Sequence, residues 1–195
     1  SSTGLLGWLL LLLLLLAKQA SGLMQKIAAG GSHSCAVLQD QSLRCWGKND
    51  DGQLGYGDSY QRGDESGEMG SNLPPVDLGI GRTVTAIALG NSHSCALLDD
   101  GAMKCWGSNS YGQLGQGNAL ALGDEVYEMG NNLLPIDLGA GRAVVAIAAG
   151  RDHSCALLDN YDIKCWGSNV LGQLGLGDKN ARGDEAGEMG NNLPA

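Results

Sequence analysis

Three times, at a constant interval, this chain repeats one cassette. Cys35, Cys95 and Cys155 each stand in the string His-Ser-Cys-Ala. Ten positions later Cys45, Cys105 and Cys165 are each followed by Trp-Gly. The turn-like string Gly52-Gln53-Leu54-Gly55 then recurs at Gly112–Gly115 and Gly172–Gly175. A period of this length marks a unit that cannot bury its apolar face alone and stacks on copies of itself, as in a solenoid, a propeller or an array. It also argues against one grafted active site, because every residue with interesting chemistry comes in triplicate.

Within a period the order is constant. Val84–Leu89 and Val144–Ala149 are short, apolar, β-branched runs closed by Gly90 and Gly150, which predicts buried strands rather than helices. Ser94–Leu98 reads as a second strand, Asp99-Asp100-Gly101 as a hairpin turn, and Ala102–Trp106 as a third strand. The turn reads Asp40-Gln41-Ser42 in copy one and Asn160-Tyr161-Asp162 in copy three, so glycine is not obligatory there. After Trp-Gly comes a polar loop, the Gly-Gln-Leu-Gly turn, and an acidic insert (63–70, 123–130, 183–190) long enough for one helical turn stopped by glycine. The stretch Asn72–Leu78 reads as an outer edge strand, since prolines flank it. The predicted fold class is therefore all-β, built from propeller blades.

The strings AIALGNSHSCALLDDGAMKCWGSNSYGQLGQG and AIAAGRDHSCALLDNYDIKCWGSNVLGQLGLG, at 86–117 and 146–177, resemble repeats of the regulator of chromosome condensation family. The resemblance runs from about residue 27 to the end of the chain. It implies a seven-bladed propeller of four-stranded blades, of which this chain would supply a part: a leader at 1–22, then a partial propeller over 23–195 with repeats at about 27–86, 87–146 and 147–195. Three blades do not close a ring, so the remaining blades of a longer chain are expected as partners.

Hairpin symmetry places the cysteines. With residue 100 at the loop centre, Cys95 lies opposite Cys105, Ala96 opposite Lys104 and Leu97 opposite Met103. Directly opposed residues have Cα atoms about 4.5–5.5 Å apart, within the span a disulfide needs. One staple per repeat is the expectation (Cys35–Cys45, Cys95–Cys105, Cys155–Cys165). The alternatives are free buried thiols, or a metal held by His93, Cys95 and Cys105, which lacks the fourth ligand of a structural zinc site.

Leucine runs unbroken from Leu9 to Leu16 within a longer apolar stretch, Leu5–Ala17, which is too short to span a bilayer comfortably. With the small residues Ala20-Ser21-Gly22 after it, this reads as a secretory signal, with a membrane anchor or a spurious leader as alternatives. No initiator Met precedes it. The location expected is the secretory pathway or outside the cell. The net charge of −9 repels phosphate backbones, so nucleic acid is not expected as a partner.

The remaining candidates have plain structural readings. His33, His93 and His153 beside Ser-Cys suggest a nucleophile, but a copy in every repeat favours hydrogen bonds to a neighbouring blade's backbone. Trp46, Trp106 and Trp166 are expected to pack between blades. The carboxylates Asp64, Glu65 and Glu68, with Asp124, Glu125 and Glu128 and with Asp184, Glu185 and Glu188, lack the alternation of a calcium loop and form the candidate interaction surface. Arg62-Gly63-Asp64 and Arg182-Gly183-Asp184 match an adhesion tripeptide that the middle copy, Leu122-Gly123-Asp124, breaks. No cofactor, metal or reaction is implied. The expected function is a non-catalytic protein-interaction module with an unidentified protein partner. Nucleotide exchange on a small GTPase, by resemblance, and inhibition of an extracellular enzyme are the alternatives.

Overall fold

Short β-branched and apolar runs, cut by glycine turns, fold each period into one antiparallel sheet. A computed structural model describes residues 26–195, so the apolar leader falls outside the described residues. The first sheet comprises β1 (Lys26–Ala29), β2 (His33–Val37) and β3 (Leu43–Gly47). The second comprises β4 (Val84–Leu89), β5 (His93–Leu98) and β6 (Met103–Gly107). The third comprises β7 (Val144–Ala149), β8 (His153–Leu158) and β9 (Ile163–Gly167). The repeat boundaries expected at 86/87 and 146/147 thus fall inside β4 and β7. In the hairpin, Cys95 pairs with Cys105, Ala96 with Lys104 and Leu97 with Met103, the register that symmetry predicts. The same left-handed position of that turn is held by Gly101 (φ 81°), Gln41 (φ 66°) and Tyr161 (φ 68°).

The core lies between sheets rather than within them. One apolar cluster joins Val37, Leu43 and Leu54 of the first repeat to Ala96, Leu98 and Trp106 of the second; another joins Met103 and Leu114 to Ala156, Leu158 and Trp166 of the third. Burial along the central strands records this directly. β2 buries His33, Cys35 and Val37; β8 buries the opposite phase, Ser154, Ala156 and Leu158; β5, covered on both faces, is buried throughout. A period-2 side-chain pattern makes each sheet two-faced, so only a neighbour on each side covers it fully. At the inner ends the loops after the first strands are bonded in series, Gly31 N–H to Gly90 O (3.1 Å) and Asn91 N–H to Arg151 O (2.9 Å). Glycine is needed there, because a Cβ on Gly90 would lie 2.1 Å from the His93 ring and 2.7 Å from Gly150 O.

Two expectations fail in the connection that follows. Asn72–Leu78 is not a strand: only Val76 N–H reaches β3, at Leu43 O (2.8 Å), as Ile136 N–H reaches Met103 O in the next repeat. Pro74 and Pro75 bring no N–H donors, so no ladder can propagate. The fourth-strand position is touched elsewhere, by single bridges from Arg62, Leu122 and Arg182 to Gly47, Gly107 and Gly167. Each sheet therefore has three strands, not the four implied by resemblance. The acidic inserts are turns and bends. Short 3-10 helices come after them, at Gly70–Asn72 and Gly190–Asn192, starting at the glycine expected to stop a helix.

Candidate functional site

Adjacent repeats meet through one polar junction, seen twice. Ser94 Oγ donates to Gln53 O (2.7 Å), and His33 Nε2 lies 2.9 Å from the same hydroxyl. Trp106 Nε1 donates to the same Gln53 O at 3.1 Å. At the next junction Ser154 Oγ donates to Gln113 O (2.9 Å), His93 Nε2 sits 3.0 Å from Ser154 Oγ, and Trp166 Nε1 donates to Gln113 O at 3.0 Å. The Gly-Gln-Leu-Gly turn of one repeat is thus the socket for the tryptophan of the next. A Cβ on Gly55 would lie 2.7 Å from Trp106 Nε1, so the close approach excludes any other residue. Trp106 and Trp166 are fully buried, while Trp46, with no preceding turn of this kind among the described residues, is half-buried.

This geometry corrects the role expected of the histidines. The ring meets a neighbouring hydroxyl, and that hydroxyl reaches the backbone. The hydroxyl proton points to the Gln carbonyl, so toward the imidazole it accepts. That assigns Nε2–H to His33 and His93 and leaves their buried Nδ1 atoms without a partner. Burial pushes both rings down to about 4, with neighbouring histidines adding to the effect at His93; they are neutral at pH 7. A histidine that donates to a serine cannot act as that serine's base. Nor is there a thiol: Cys35–Cys45, Cys95–Cys105 and Cys155–Cys165 are bonded pairs, and no free cysteine occurs among the described residues.

The inserts are held from within. Glu68 Oε2 accepts the N–H groups of Gly63 (2.7 Å) and Glu65 (3.1 Å), and Glu128 and Glu188 do the same for their own loops. The third carboxylate of each set is therefore a loop cap rather than a contact group. The backbone bonds from Glu65 and Gly63 hold Glu68 below the usual carboxylate range. Asp124 and Asp184 are half-buried, since their backbones dock on Gly52 and Gly112 of the preceding repeat. Burial, with Glu188 beside it, raises Asp184. Asp64, Glu65, Glu125 and Glu185 stay exposed.

Sequence reading missed the cations that anchor these inserts. Lys104 Nζ, buried, donates to Leu78 O and Gly130 O (2.9 Å each); Lys164 Nζ donates to Gly190 O (2.7 Å); Arg44 Nη1 reaches Gly70 O (3.0 Å) and Leu73 O. Desolvation lowers Lys104. The available signal was a cation recurring one position before the second cysteine, inside an otherwise apolar strand. Buried Asn49, Asn109 and Asn169 were missed as well. Asn49 Oδ1 accepts Leu54 N–H (2.9 Å) while its Nδ2 donates to Asp58 O and Tyr60 O, closing the loop that carries the socket. The adhesion-like arginines are occupied: Arg62 pairs with Asp58 and Arg182 with Asp178, each at 2.7 Å.

The regulator of chromosome condensation (RCC1) repeat matches residues 24–53, 84–113 and 144–173, and a longer form of the same repeat matches 43–97 and 100–157. The chain is 34% identical over 153 residues to the ultraviolet-B receptor UVR8 of Arabidopsis thaliana, covering 78% of this chain and 31% of that one. It is 32% identical over 161 residues to the regulator of chromosome condensation of Drosophila melanogaster, covering 81% and 26%. The structure of Prp20p from Saccharomyces cerevisiae, a protein characterised for binding Gsp1p and histones, superposes with a TM-score of 0.59 at 25% identity, over 80% of this chain and 36% of that one. The chain spans under a third of the length of these two sequence relatives, and its sheets are blades of the β-propeller type.

Proposed function

The chain belongs to the regulator of chromosome condensation repeat family, and from that premise we propose that it is a non-catalytic protein-interaction module on part of a larger propeller. One observation carries this reading. His33, His93, Ser94, Ser154, Trp106 and Trp166 are engaged in packing repeat on repeat, and the six cysteines are closed in pairs within their own sheets, which leaves the chemistry of the surface to the inserts and the loops they cover. Recognition by loops on a rigid scaffold is the common use of such architecture. The leucine-rich leader and the three bonded cysteine pairs support placement in the secretory pathway, where disulfides persist. The test is chemical cross-linking and mass spectrometry of the tagged chain expressed in its own cells. Stable partners are expected, with cross-links falling at 60–72, 120–132 and 180–192. Cross-links confined to the strands, or none, would refute the reading.

A second reading, nucleotide exchange on a small GTPase, is favoured by the likeness to the Drosophila protein and to Prp20p. A nucleotide-release assay against a panel of GTPases separates the two, since a pure interaction module leaves every release rate unchanged.

A further inference from the structure

The first junction differs from the second at its outer rim. Between the loop 55–62 and the next insert lies a cleft of about 610 Å³, lined by Tyr56, Asp58, Pro75, Asp77, Val126 and Tyr127 among others. It shares Gly57, Asp58 and Val126 with a second hollow that adds Tyr60, Asp124 and Glu125. Three of the chain's tyrosines thus gather at one place. The equivalent positions of the other copies show that the repeat does not require this. Tyr56 and Tyr60 become Gln116 and Leu120, then Leu176 and Asn180. Val126-Tyr127 stands where the other copies have Ser66-Gly67 and Ala186-Gly187.

Tyr127 is the unusual member. Its φ is +74°, a conformation that Gly67 (φ 91°) and Gly187 (φ 86°) adopt freely and that costs an L-residue about 1–2 kcal/mol. Yet Tyr127 is 84% exposed, and Val126 beside it is 68% exposed, so no packing among the described residues compensates. The cleft's charge is one-sided. Asp58, Asp77, Asp124 and Glu125 line it against one cation, Arg62, which Asp58 already neutralises and which lies over the Tyr56 ring at 5.5 Å.

The exposed Tyr60 and Tyr127, beside Asp124 and Glu125, which make no ion pair among the described residues, suit a guanidinium or ammonium group by cation–π attraction and charge together. The geometry points to an occupant: an extended, arginine-bearing segment of a protein partner, lying along the cleft between repeats one and two. This rests on the interaction-module reading and names the chemistry of its partner.

The test uses the whole chain and fluorescence anisotropy with a labelled peptide of about 12 residues alternating Arg and Gly, long enough to follow the cleft in extended form. A peptide with Glu in place of Arg is the control. Saturable binding of the basic peptide alone is expected, weakened about tenfold both by Tyr127→Gly and by Glu125→Gln. Tyr127→Gly carries little folding risk, because its φ suits glycine and the ring touches no core; an unchanged melting curve checks this. Absent binding, equal binding of the acidic peptide, or full affinity in Tyr127→Gly (attraction by charge alone) would overturn the inference. Partners cross-linked equally well by Tyr127→Gly would do so too, while leaving the broader reading standing.

Discussion

Acidification from pH 7.5 to pH 5.0 is expected to loosen the stack through its two buried imidazoles. His33 and His93 hold a pKa of about 4 in the folded chain, while an unfolded histidine titrates near 6.5. A base whose pKa is depressed by folding contributes stability that is full above 6.5 and lost as pH falls toward 4, because the unfolded chain takes up the proton first. At pH 5.0 the unfolded side is favoured by 1.5 pH units per histidine, less a small term for native protonation. That is about 2 kcal/mol each and about 4 kcal/mol for the pair. His153, lowered in the same direction by burial, adds to the loss. Asp40, Glu68 and Asp178 are also depressed, so they titrate below this window; Asp184, raised by burial, has the opposite sign. Tryptophan fluorescence during urea unfolding reads the change, since Trp106 and Trp166 lie at the same junctions. With a slope of about 2 kcal/mol/M, the midpoint should drop by about 2 M. His93→Gln, which does not titrate, should shrink that drop by about 1 M whatever its stability at pH 7.5. A midpoint that stays fixed between the two pH values, or a full drop in His93→Gln, would refute the reasoning.

Three further outcomes follow from the same geometry. Tyr161→Gly should stabilise by about 0.5–1 kcal/mol, since it relieves a φ of 68° at an 87% exposed side chain, partly offset by glycine's larger chain entropy; thermal unfolding reads it. Lys104→Met strands two buried carbonyls and Lys164→Met one, at about 1–3 kcal/mol each, so the first variant should lose about twice as much in urea titrations. Replacing both Cys95 and Cys105 by alanine opens a cross-link of sequence separation 10 and should cost about 3 kcal/mol by the loop-entropy relation, again measured by unfolding.

What the sequence disclosed, and what it concealed, divides by range of contact. The hairpin register was legible because it depends only on residues symmetric about one turn, and Cys95 opposite Cys105 follows from counting. The sockets were visible as repeated strings, but their partners were not. Trp106 meets Gln53 across 53 residues, and no local periodicity encodes which carbonyl an indole reaches. The same holds for Lys104, whose two carbonyls lie 26 residues away on either side. The outer strand was misread because an apolar segment beside prolines has the composition of an edge, whereas pairing needs donors that Pro74 and Pro75 lack. Glu68, Glu128 and Glu188 looked like surface acids. Their capture by their own loops depends on backbone turns that composition does not specify.

The junction, rather than the blade, is the unit that carries stability here. A sheet alone covers neither of its faces, and the full burial of β5 and β6 against the alternating burial of β2 and β8 shows burial tracking the number of neighbours. Stability in such arrays is a sum of repeat terms and nearest-neighbour terms. An open row of n repeats has n − 1 junctions, and a closed ring has n, so closure adds one complete interface while ordering no further chain. The two junctions described here match group for group: histidine to serine, serine to glutamine carbonyl, tryptophan to the same carbonyl. A blade of this type placed against either outer face would therefore meet donors and acceptors in the arrangement it already presents. Strict repetition of the cassette is thus a requirement of the interface itself, because each face has to complement a copy of the opposite face.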